Sequence, residues 1–292
     1  MKRQFEVSGP VELDVRLPTG EIEVETTDDA THVELELIAH DEDSQQFVDE
    51  ARLELREQQG RPHLLIDIPQ RRGGFNFGSF FGRQGITLRV RAPHGSGLSV
   101  RTKSADVSVG GTLGGANIAS ASGDVALERI DGELSVKTAS GDVRARFVRD
   151  GVSVQSASGD IAIDAARGAV SVTSASGDVW IDEAYGDVNA GTVSGDQQHG
   201  AVLRGTISAH SVSGDVHIGV RRGSKVFLDC TTVSGDTSSE LEVSSDAPAG
   251  DGPLVEIRAK TVSGDIQITR APAPAADAGY PSSSDSSQEV HA

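Results

Sequence analysis

A tripeptide, Ser-Gly-Asp, recurs at a regular interval and restricts this chain to a repeat architecture. A degenerate copy, Ser104-Ala105-Asp106, precedes eight full copies, which begin at Ser122, Ser140, Ser158, Ser176, Ser194, Ser213, Ser234 and Ser263. From Asp106 to Asp196 the interval is 18 residues each time, and it then lengthens to 19, 21 and 29 residues. A period of this length indicates units that each stack on their neighbours.

Each repeat contains two short strands. Apolar and polar residues alternate through Leu134 to Ala139 and again through Val152 to Ser156, as expected of strands with one buried face. A second glycine turn, such as Asp150-Gly151, separates the two halves of the unit. The unit is therefore predicted to be strand, glycine turn, strand and Ser-Gly-Asp turn.

A column of hydroxyl residues indicates how the units stack. The position two before the first residue of every triplet, the degenerate copy included, is Ser or Thr: Thr102, Ser120, Thr138, Ser156, Ser174, Thr192, Ser211, Thr232 and Thr261. Direct stacking of equivalent residues explains this better than hairpins, which would separate them by two strands. We therefore predict an all-β, single-stranded parallel β-solenoid with coils of 18 residues. An antiparallel β-meander of the same repeats is the alternative.

The Ser-Gly-Asp turn has a structural interpretation and a functional one. Glycine permits a positive φ at the corner, and the Ser and Asp side chains can bond nearby backbone groups. The predicted structural glycines are Gly123, Gly141, Gly159, Gly177, Gly195, Gly214, Gly235 and Gly264. Stacked carboxylates repel one another, so the alternative is a cation-binding ladder formed by Asp124, Asp142, Asp160 and Asp178.

The chain divides into three predicted regions. Residues 1–98 lack the triplet and are expected to form a β-rich cap with a short helix near Asp43 to Ala51. Within this region, residues 71–83 are predicted to form a Gly-rich loop, which either folds back over the end of the solenoid or exposes an apolar patch to a membrane interface or a partner groove. In the second case its phenylalanines are the interaction candidates: Phe75, Phe77, Phe80 and Phe81. Residues 99–270 form the predicted solenoid. Residues 271–292 are rich in Pro, Ala, Ser and Asp and are predicted to be disordered.

Composition limits the classes of partner. The formal net charge of −18 argues against nucleic acid and anionic lipid as electrostatically driven partners. The single cysteine, Cys230, cannot form an intramolecular disulfide and is expected to be a small buried hydrophobe. With neither an apolar leader nor a membrane-spanning stretch in the sequence, we expect a cytoplasmic or membrane-peripheral protein.

Repetition also favours binding over catalysis. An active site is one asymmetric set of residues, whereas the Ser and Asp of the triplet occur in eight equivalent copies, and the eight histidines show no metal-ligand spacing. We therefore expect no enzyme, no catalytic residue and no cofactor, but a scaffold with a protein, glycan or membrane-surface partner. A carbohydrate-binding or carbohydrate-active β-helix and a divalent-cation-binding repeat are the alternatives.

The repeated units also carry a family resemblance. Ala-Ser-Gly-Asp-Val at Ala121 to Val125 and Val-Ser-Gly-Asp-Val at Val212 to Val216 resemble the bacterial β-strand repeat family known as putative adhesin and as domain of unknown function 4097. The resemblance covers about residues 5 to 270. It implies a β-helical, non-catalytic domain, often associated with the cell envelope or its stress responses, and it supplies no catalytic residues.

Overall fold

The computed structural model describes residues 1–58, 60–69, 85–241 and 252–271. These residues form strands almost throughout. The first strands are β1 (Lys2–Glu6), β2 (Glu12–Arg16), β3 (Thr19–Thr27), β4 (His32–Ala39), β5 (Arg52–Gln58), β6 (Arg61–Asp67), β7 (Ile86–Pro93), β8 (Gly97–Arg101), β9 (Ser104–Leu113) and β10 (Gly115–Ala119).

The strands of the regular repeats follow. They are β11 (Val125–Ile130), β12 (Leu134–Ser140), β13 (Val143–Val148), β14 (Val152–Ser158), β15 (Ile161–Ala166), β16 (Val170–Ser176), β17 (Val179–Ala184), β18 (Val188–Ser194), β19 (Gln197–Val202), β20 (Gly205–Ser213) and β21 (Val216–Val220). The last four are β22 (Lys225–Ser234), β23 (Thr237–Ser239), β24 (Leu254–Ser263) and β25 (Ile266–Arg270).

The strands form two long sheets that face each other across the core. Sheet A has 13 strands in the order β1-β4-β7-β3-β9-β11-β13-β15-β17-β19-β21-β25-β23. Sheet B has 12 strands in the order β22-β24-β20-β18-β16-β14-β12-β10-β8-β2-β6-β5. Each regular coil contributes one strand to each sheet, so the Ser-Gly-Asp corner always leads from sheet B to sheet A.

Neighbouring coils pair in parallel and in register. Thr138 pairs with Ser156, Ser156 with Ser174, and Ser174 with Thr192, which places the hydroxyl residues in one column. The predicted parallel solenoid is therefore confirmed, and the antiparallel meander is excluded. Among the described strands, only the pairs β1–β4, β4–β7 and β5–β6 are antiparallel, and all three lie at the N-terminal end.

Apolar columns fill the space between the sheets. One column of sheet A runs through Val125, Val143, Ile161 and Val179, each no more than 1% exposed. The alternation of the sequence produces this arrangement because successive side chains of a strand point to opposite faces. The core is continuous along the stack.

The stacking order departs from the sequence order at both ends. At the N-terminal end, the coil formed by β2 and β3 lies between the coil of β6 and β7 and the coil of β8 and β9. At the C-terminal end, the coil of β24 and β25 lies between the coil of β20 and β21 and the coil of β22 and β23. The lengthened repeat intervals at the C-terminal end gave no sign of this reversal.

The predicted short helix is present as α1 (Glu42–Asp49). Its N-cap is Asp41, whose side chain accepts a hydrogen bond from the backbone N–H of Ser44, and this satisfies one of the otherwise unpaired amides of the first turn. Across the part of the chain that the structure describes, no helix has the length and apolar character needed to cross a bilayer.

Candidate functional site

The Ser-Gly-Asp corner is built around a glycine that no other residue can replace without strain. Gly159 has a φ of +123°, and a Cβ at this position would overlap the carbonyl oxygen of Gly141 in the preceding coil. Both the backbone conformation and the close approach of the coils therefore require glycine. This geometry repeats at Gly141 and Gly177.

The aspartates of the corner join successive coils. Asp160 Oδ1 accepts a hydrogen bond from the backbone N–H of Asp178 at 2.9 Å, and the N–H of Asp160 donates to Asp142 Oδ1 at the same distance. The contact occurs between all neighbouring coils from Asp106 to Asp236, over distances of 2.8 to 3.0 Å. The carboxylates therefore act as acceptors that stabilise the stack.

The hydroxyl column supports the same corner from the side of sheet B. Thr138 Oγ1 donates to the carbonyl oxygen of Ser140 at 3.0 Å, and Ser174 Oγ donates to that of Ser176 at 3.0 Å. A small hydroxyl at this position binds a carbonyl oxygen as the strand reaches the turn. Seven of the nine hydroxyls in the column bond to a carbonyl oxygen, whereas Ser120 and Ser211 have no hydrogen-bond partner among the described residues.

The four candidate cation ligands each have one oxygen engaged with the backbone. Asp124, Asp142, Asp160 and Asp178 lie along one edge, each bonded through Oδ1 to the next coil. No group of three or more His, Cys, Asp or Glu residues with an arrangement suited to a metal ion occurs within the described ranges. The coil-to-coil contacts account for these aspartates, and cation binding by them stays a prediction.

The phenylalanine candidates lie outside the described residues. Phe75, Phe77, Phe80 and Phe81 fall between residues 69 and 85, where the structure describes nothing. Their interaction role therefore stays a prediction.

The outer face of sheet A carries a surface that the sequence analysis did not single out. Trp180, the only tryptophan of the chain, lies on this face and is partly exposed. In the neighbouring strands, Ala162 and Gln198 pair directly with it, and His217 pairs in turn with Gln198. We call Trp180, Asp182, Gln198 and His217 the Trp180 face.

Acidic side chains border the Trp180 face. Burial raises the pKa of Asp182 above its usual value, and the nearby negative charge of Asp164 raises it further. Asp164 itself lies 3.6 Å from the guanidinium of Arg144. His217 Nε2 is within hydrogen-bond distance, 2.9 Å, of Thr269 Oγ1. An aromatic ring thus lies among carboxylate, amide and imidazole groups on an open sheet.

A buried polar cluster interrupts the apolar core at β19, the strand that also carries Gln198. Gln197 and His199 are each 1% exposed and occupy columns that hold Val179 and Ile181 in the preceding coil. Gln197 Nε2 donates to Thr192 Oγ1 at 3.0 Å and to the carbonyl oxygen of His210 at 2.8 Å. Alignment of the repeats would have revealed both substitutions, because the two columns are apolar in the neighbouring coils, with Val179 and Ile181 on one side and Val216 and Ile218 on the other.

His199 lacks hydrogen-bond partners for both ring nitrogens, and Gln197 Oε1 and Ser211 Oγ are also without partners. Burial lowers the pKa of His199 to about 4, and the neighbouring His217 contributes to the shift. The imidazole is therefore neutral at physiological pH. The spacing of the histidines in the sequence gave no sign that His199 is buried.

Cys230 differs from its prediction as well. It is a free thiol, but it is only half-buried, because β22 is the outermost strand of sheet B. Burial raises the pKa of its thiol, and the charge of Asp229 acts in the same direction. A protonated thiol at neutral pH is a poor nucleophile.

Comparisons with known proteins identify one family. The model of the family described as Toastrack DUF4097 matches residues 11–269. No match was found among curated proteins.

Solved structures with similar folds include proteins from three bacteria. A putative adhesin from Bacteroides fragilis is 13% identical, with a TM-score of 0.41 and coverage of 92% of this chain and 96% of that one. A putative lipid binding protein from Parabacteroides distasonis is 14% identical, with a TM-score of 0.41 and coverage of 91% and 96%. A putative cell adhesion protein from Clostridium sporogenes is 10% identical, with a TM-score of 0.32 and coverage of 92% and 99%. At these identities no residue role passes to this chain.

Proposed function

Since the chain belongs to the Toastrack DUF4097 family, we propose that it is a non-enzymatic, adhesin-like scaffold that binds a partner on its sheet faces at the cell envelope. The observation that carries this proposal is the engagement of the corner aspartates with the backbone of the next coil. The most repeated polar group of the chain thus maintains an elongated shape. A stack of this kind offers a long surface for binding.

The same hydrogen bonds argue against catalysis by the triplet. A catalytic carboxylate needs a distinct environment that sets its pKa and orients it toward a substrate. The aspartates from Asp124 to Asp178 instead share one environment and one backbone contact. Eight equivalent Ser and Asp pairs therefore suit a structural role.

Capture of partners from the native cell envelope tests the scaffold. The full chain is crosslinked to membranes and wall fragments, and bound material is identified, with flotation on liposomes separating lipid from protein partners. A specific partner retained by the folded protein is the expected result. Measurable cleavage of a polysaccharide panel by the purified protein would contradict the proposal that it is not an enzyme.

The Trp180 face favours a glycan as the partner. Sugar rings present C–H groups that pack on aromatic faces, and their hydroxyls bond to carboxylate, amide and imidazole groups. Ala162 pairs beside Trp180 and is small, which leaves the indole ring open on that side. Asp182 and Gln198 then supply an acceptor and an amide next to the ring.

Intrinsic fluorescence offers a direct test, because Trp180 is the only tryptophan. We expect titration with a binding glycan to shift or quench the emission, and Trp180→Ala to abolish binding measured by calorimetry. Gln155→Ala, an exposed residue on the outer face of sheet B, is the control and should bind normally. Binding that survives Trp180→Ala would place the glycan elsewhere. Absence of binding across the panel would leave the scaffold with a protein or lipid partner.

A further inference from the structure

Among the strands that the structure describes, four lie at the edges of the two sheets, and one of them differs from the other three. Sheet A ends in β1, whose sequence is Lys-Arg-Gln-Phe-Glu, and in β23, which has three residues. Sheet B ends in β5, which carries four charged residues, and in β22, which is 10 residues long. Charged or short edges resist pairing with other chains, whereas β22 is long, and its first half carries only Lys225 and Asp229, one charge of each sign on either side of Phe227.

The outward groups of β22 are available for hydrogen bonding. The N–H of Lys225 donates to the carbonyl oxygen of Pro253 at 2.9 Å, so Lys225 faces β24. Backbone groups alternate in direction along a strand, and those of Val226, Leu228 and Cys230 therefore point away from β24. Among the described strands, none pairs with β22 on that side.

The side chains of β22 also have the character of an interface. Phe227 is 54% exposed on the outer face, between Lys225 and Asp229. On the inner face, Val226, Leu228 and Cys230 pack against the core but are only half-buried. The apolar interior thus reaches solvent along this edge.

We propose that β22 pairs with β22 of a second copy of this chain, antiparallel and centred on Phe227. In this register Lys225 faces Asp229 of the second copy, and the twofold axis repeats the pair. Val226 faces Leu228, so the inner apolar side chains of the two copies continue one another. The two phenylalanines lie opposite each other at a position without direct hydrogen bonds, where side chains are closest.

Charge selects this register from its neighbours. A pairing centred on Asp229 would place two carboxylates opposite each other, and one centred on Leu228 would place Phe227 opposite Asp229. Both alternatives lose the complementary Lys225 and Asp229 pairs, and the first adds repulsion. Only the Phe227-centred arrangement joins opposite charges, an aromatic pair and a shared apolar face. This inference stands apart from the proposed partner binding.

Charge reversal tests the interface in the full chain. Sedimentation equilibrium over a wide concentration range should show a reversible dimer. Asp229→Lys should weaken it by about tenfold, because two symmetric pairs become repulsive. Adding Lys225→Glu restores opposite charges, and the double variant should recover most of the affinity. Glu57→Lys makes the same charge change on β5 at the other end of sheet B and should leave the dimer unchanged.

A disulfide across the twofold axis provides a second measurement. In a Cys230→Ser background, Phe227→Cys should form a covalent dimer under mild oxidation, whereas Leu55→Cys on β5 should not. A protein that remains monomeric at all concentrations, with no Phe227→Cys crosslink, would overturn the proposal and would leave a strand of another protein as the occupant. A dimer insensitive to both charge variants would overturn this interface, even where glycan or partner binding is found.

Discussion

At the Ser-Gly-Asp corner, the carboxylate of one aspartate accepts a hydrogen bond from the backbone of the next coil. Neighbouring carboxylates one strand spacing apart repel by about 1 kcal/mol at the dielectric of water. A hydrogen bond to a charged acceptor contributes about 1.5–3 kcal/mol, which exceeds that repulsion. The observed contact between Asp160 and Asp178 therefore explains how a column of like charges can be stable.

Replacement of one such aspartate should weaken the stack. Asp160→Ala leaves the backbone N–H of Asp178 without its acceptor, so we expect the free energy of unfolding to fall by about 1–3 kcal/mol. Asp160→Asn retains an acceptor oxygen and should cost less. Urea denaturation measures both changes. The control is Asp150→Ala, which alters an exposed aspartate of the glycine turn between the two strands of a repeat and should change the free energy of unfolding by less than about 0.5 kcal/mol. Equal losses at both positions would contradict the role assigned to Asp160.

His199 should make the protein less stable in acid. Its pKa is about 4 in the folded protein, against 6.5 for an unperturbed histidine. Above pH 6.5 the ring is neutral in both states, so it has no effect on the pH dependence there. As the pH falls toward 4, the unfolded chain binds a proton that the folded chain does not, and the free energy of unfolding falls by about 3 kcal/mol in total.

Substitution with isoleucine should remove this dependence. His199 pairs with Ile181 and Ile218 in its column, so His199→Ile fits the surrounding core. The variant should be more stable than the unchanged protein at pH 8, because it lacks the two unpartnered ring nitrogens of His199. This difference in the free energy of unfolding should grow as the pH falls from 6.5 to 4. Denaturant unfolding at several pH values measures the difference. His210→Gln, an exposed histidine, is the control, and a constant gain for His199→Ile across pH would refute the assigned pKa.

At the scale of the strands, periodicity predicts the pairing but not the order of the terminal coils. The 18-residue interval and the hydroxyl column indicate parallel, in-register strands, and both are confirmed from β12 to β18. The repeats are so alike that Val262 to Asp265 can stack beside Val212 to Asp215 as well as Val233 to Asp236 can. No local feature shows which of these two turns stacks directly on the turn at Val212 to Asp215, so the order of the last two coils could not be predicted from these residues.

The reversed order predicts how a shortened chain should behave. Within the described residues, β22 pairs only with β24 and β23 only with β25. A chain ending at Glu240 therefore lacks both pairing partners, and residues 225–239 should lose protection from amide hydrogen exchange. Protection in the strands up to β21 should persist, because each of them retains at least one neighbour.

A second truncation serves as the control. A chain ending at Arg222 lacks both of the last coils and should match the Glu240 chain in the exchange of its remaining strands. If residues 225–239 remain protected in the chain ending at Glu240, then β22 and β23 can stack directly on β20 and β21. That outcome would contradict the dependence of this coil on β24 and β25.

For the whole molecule, charge should make stability depend on ionic strength. The net charge of −18 opposes compaction, and added salt screens it. Raising sodium chloride from about 10 to about 150 mM shortens the screening length from about 30 to about 8 Å, so we expect Tm to rise by about 2–4 °C. Calorimetry or fluorescence provides the measurement.

Calcium chloride provides the comparison. At the same ionic strength it should raise Tm by the same amount as sodium chloride, and a larger rise would indicate cation binding by the aspartate column.

The sequence allowed the architecture to be predicted more fully than the functional surface. Alternation and the repeated triplet specify strands, turns and register, because these depend on local pattern and on identical neighbours. The surface around Trp180 depends instead on which outward residues of separate coils lie side by side. Gln198 follows Trp180 by one interval of 18 residues and His217 follows Gln198 by one of 19, so the register places them side by side, but no local motif marks the three residues as a site.

The stacking order, which departs from the sequence order at both ends, has a consequence for how the chain folds during synthesis. The ribosome synthesises β22 and β23 before β24 and β25. In the folded protein, however, β24 and β25 lie between the coil of β22 and β23 and the coil of β20 and β21. Simple growth of the stack, one turn after another, therefore cannot complete this protein during translation. The nascent chain has to hold a gap open, or release a temporary partner, until its final strands arrive.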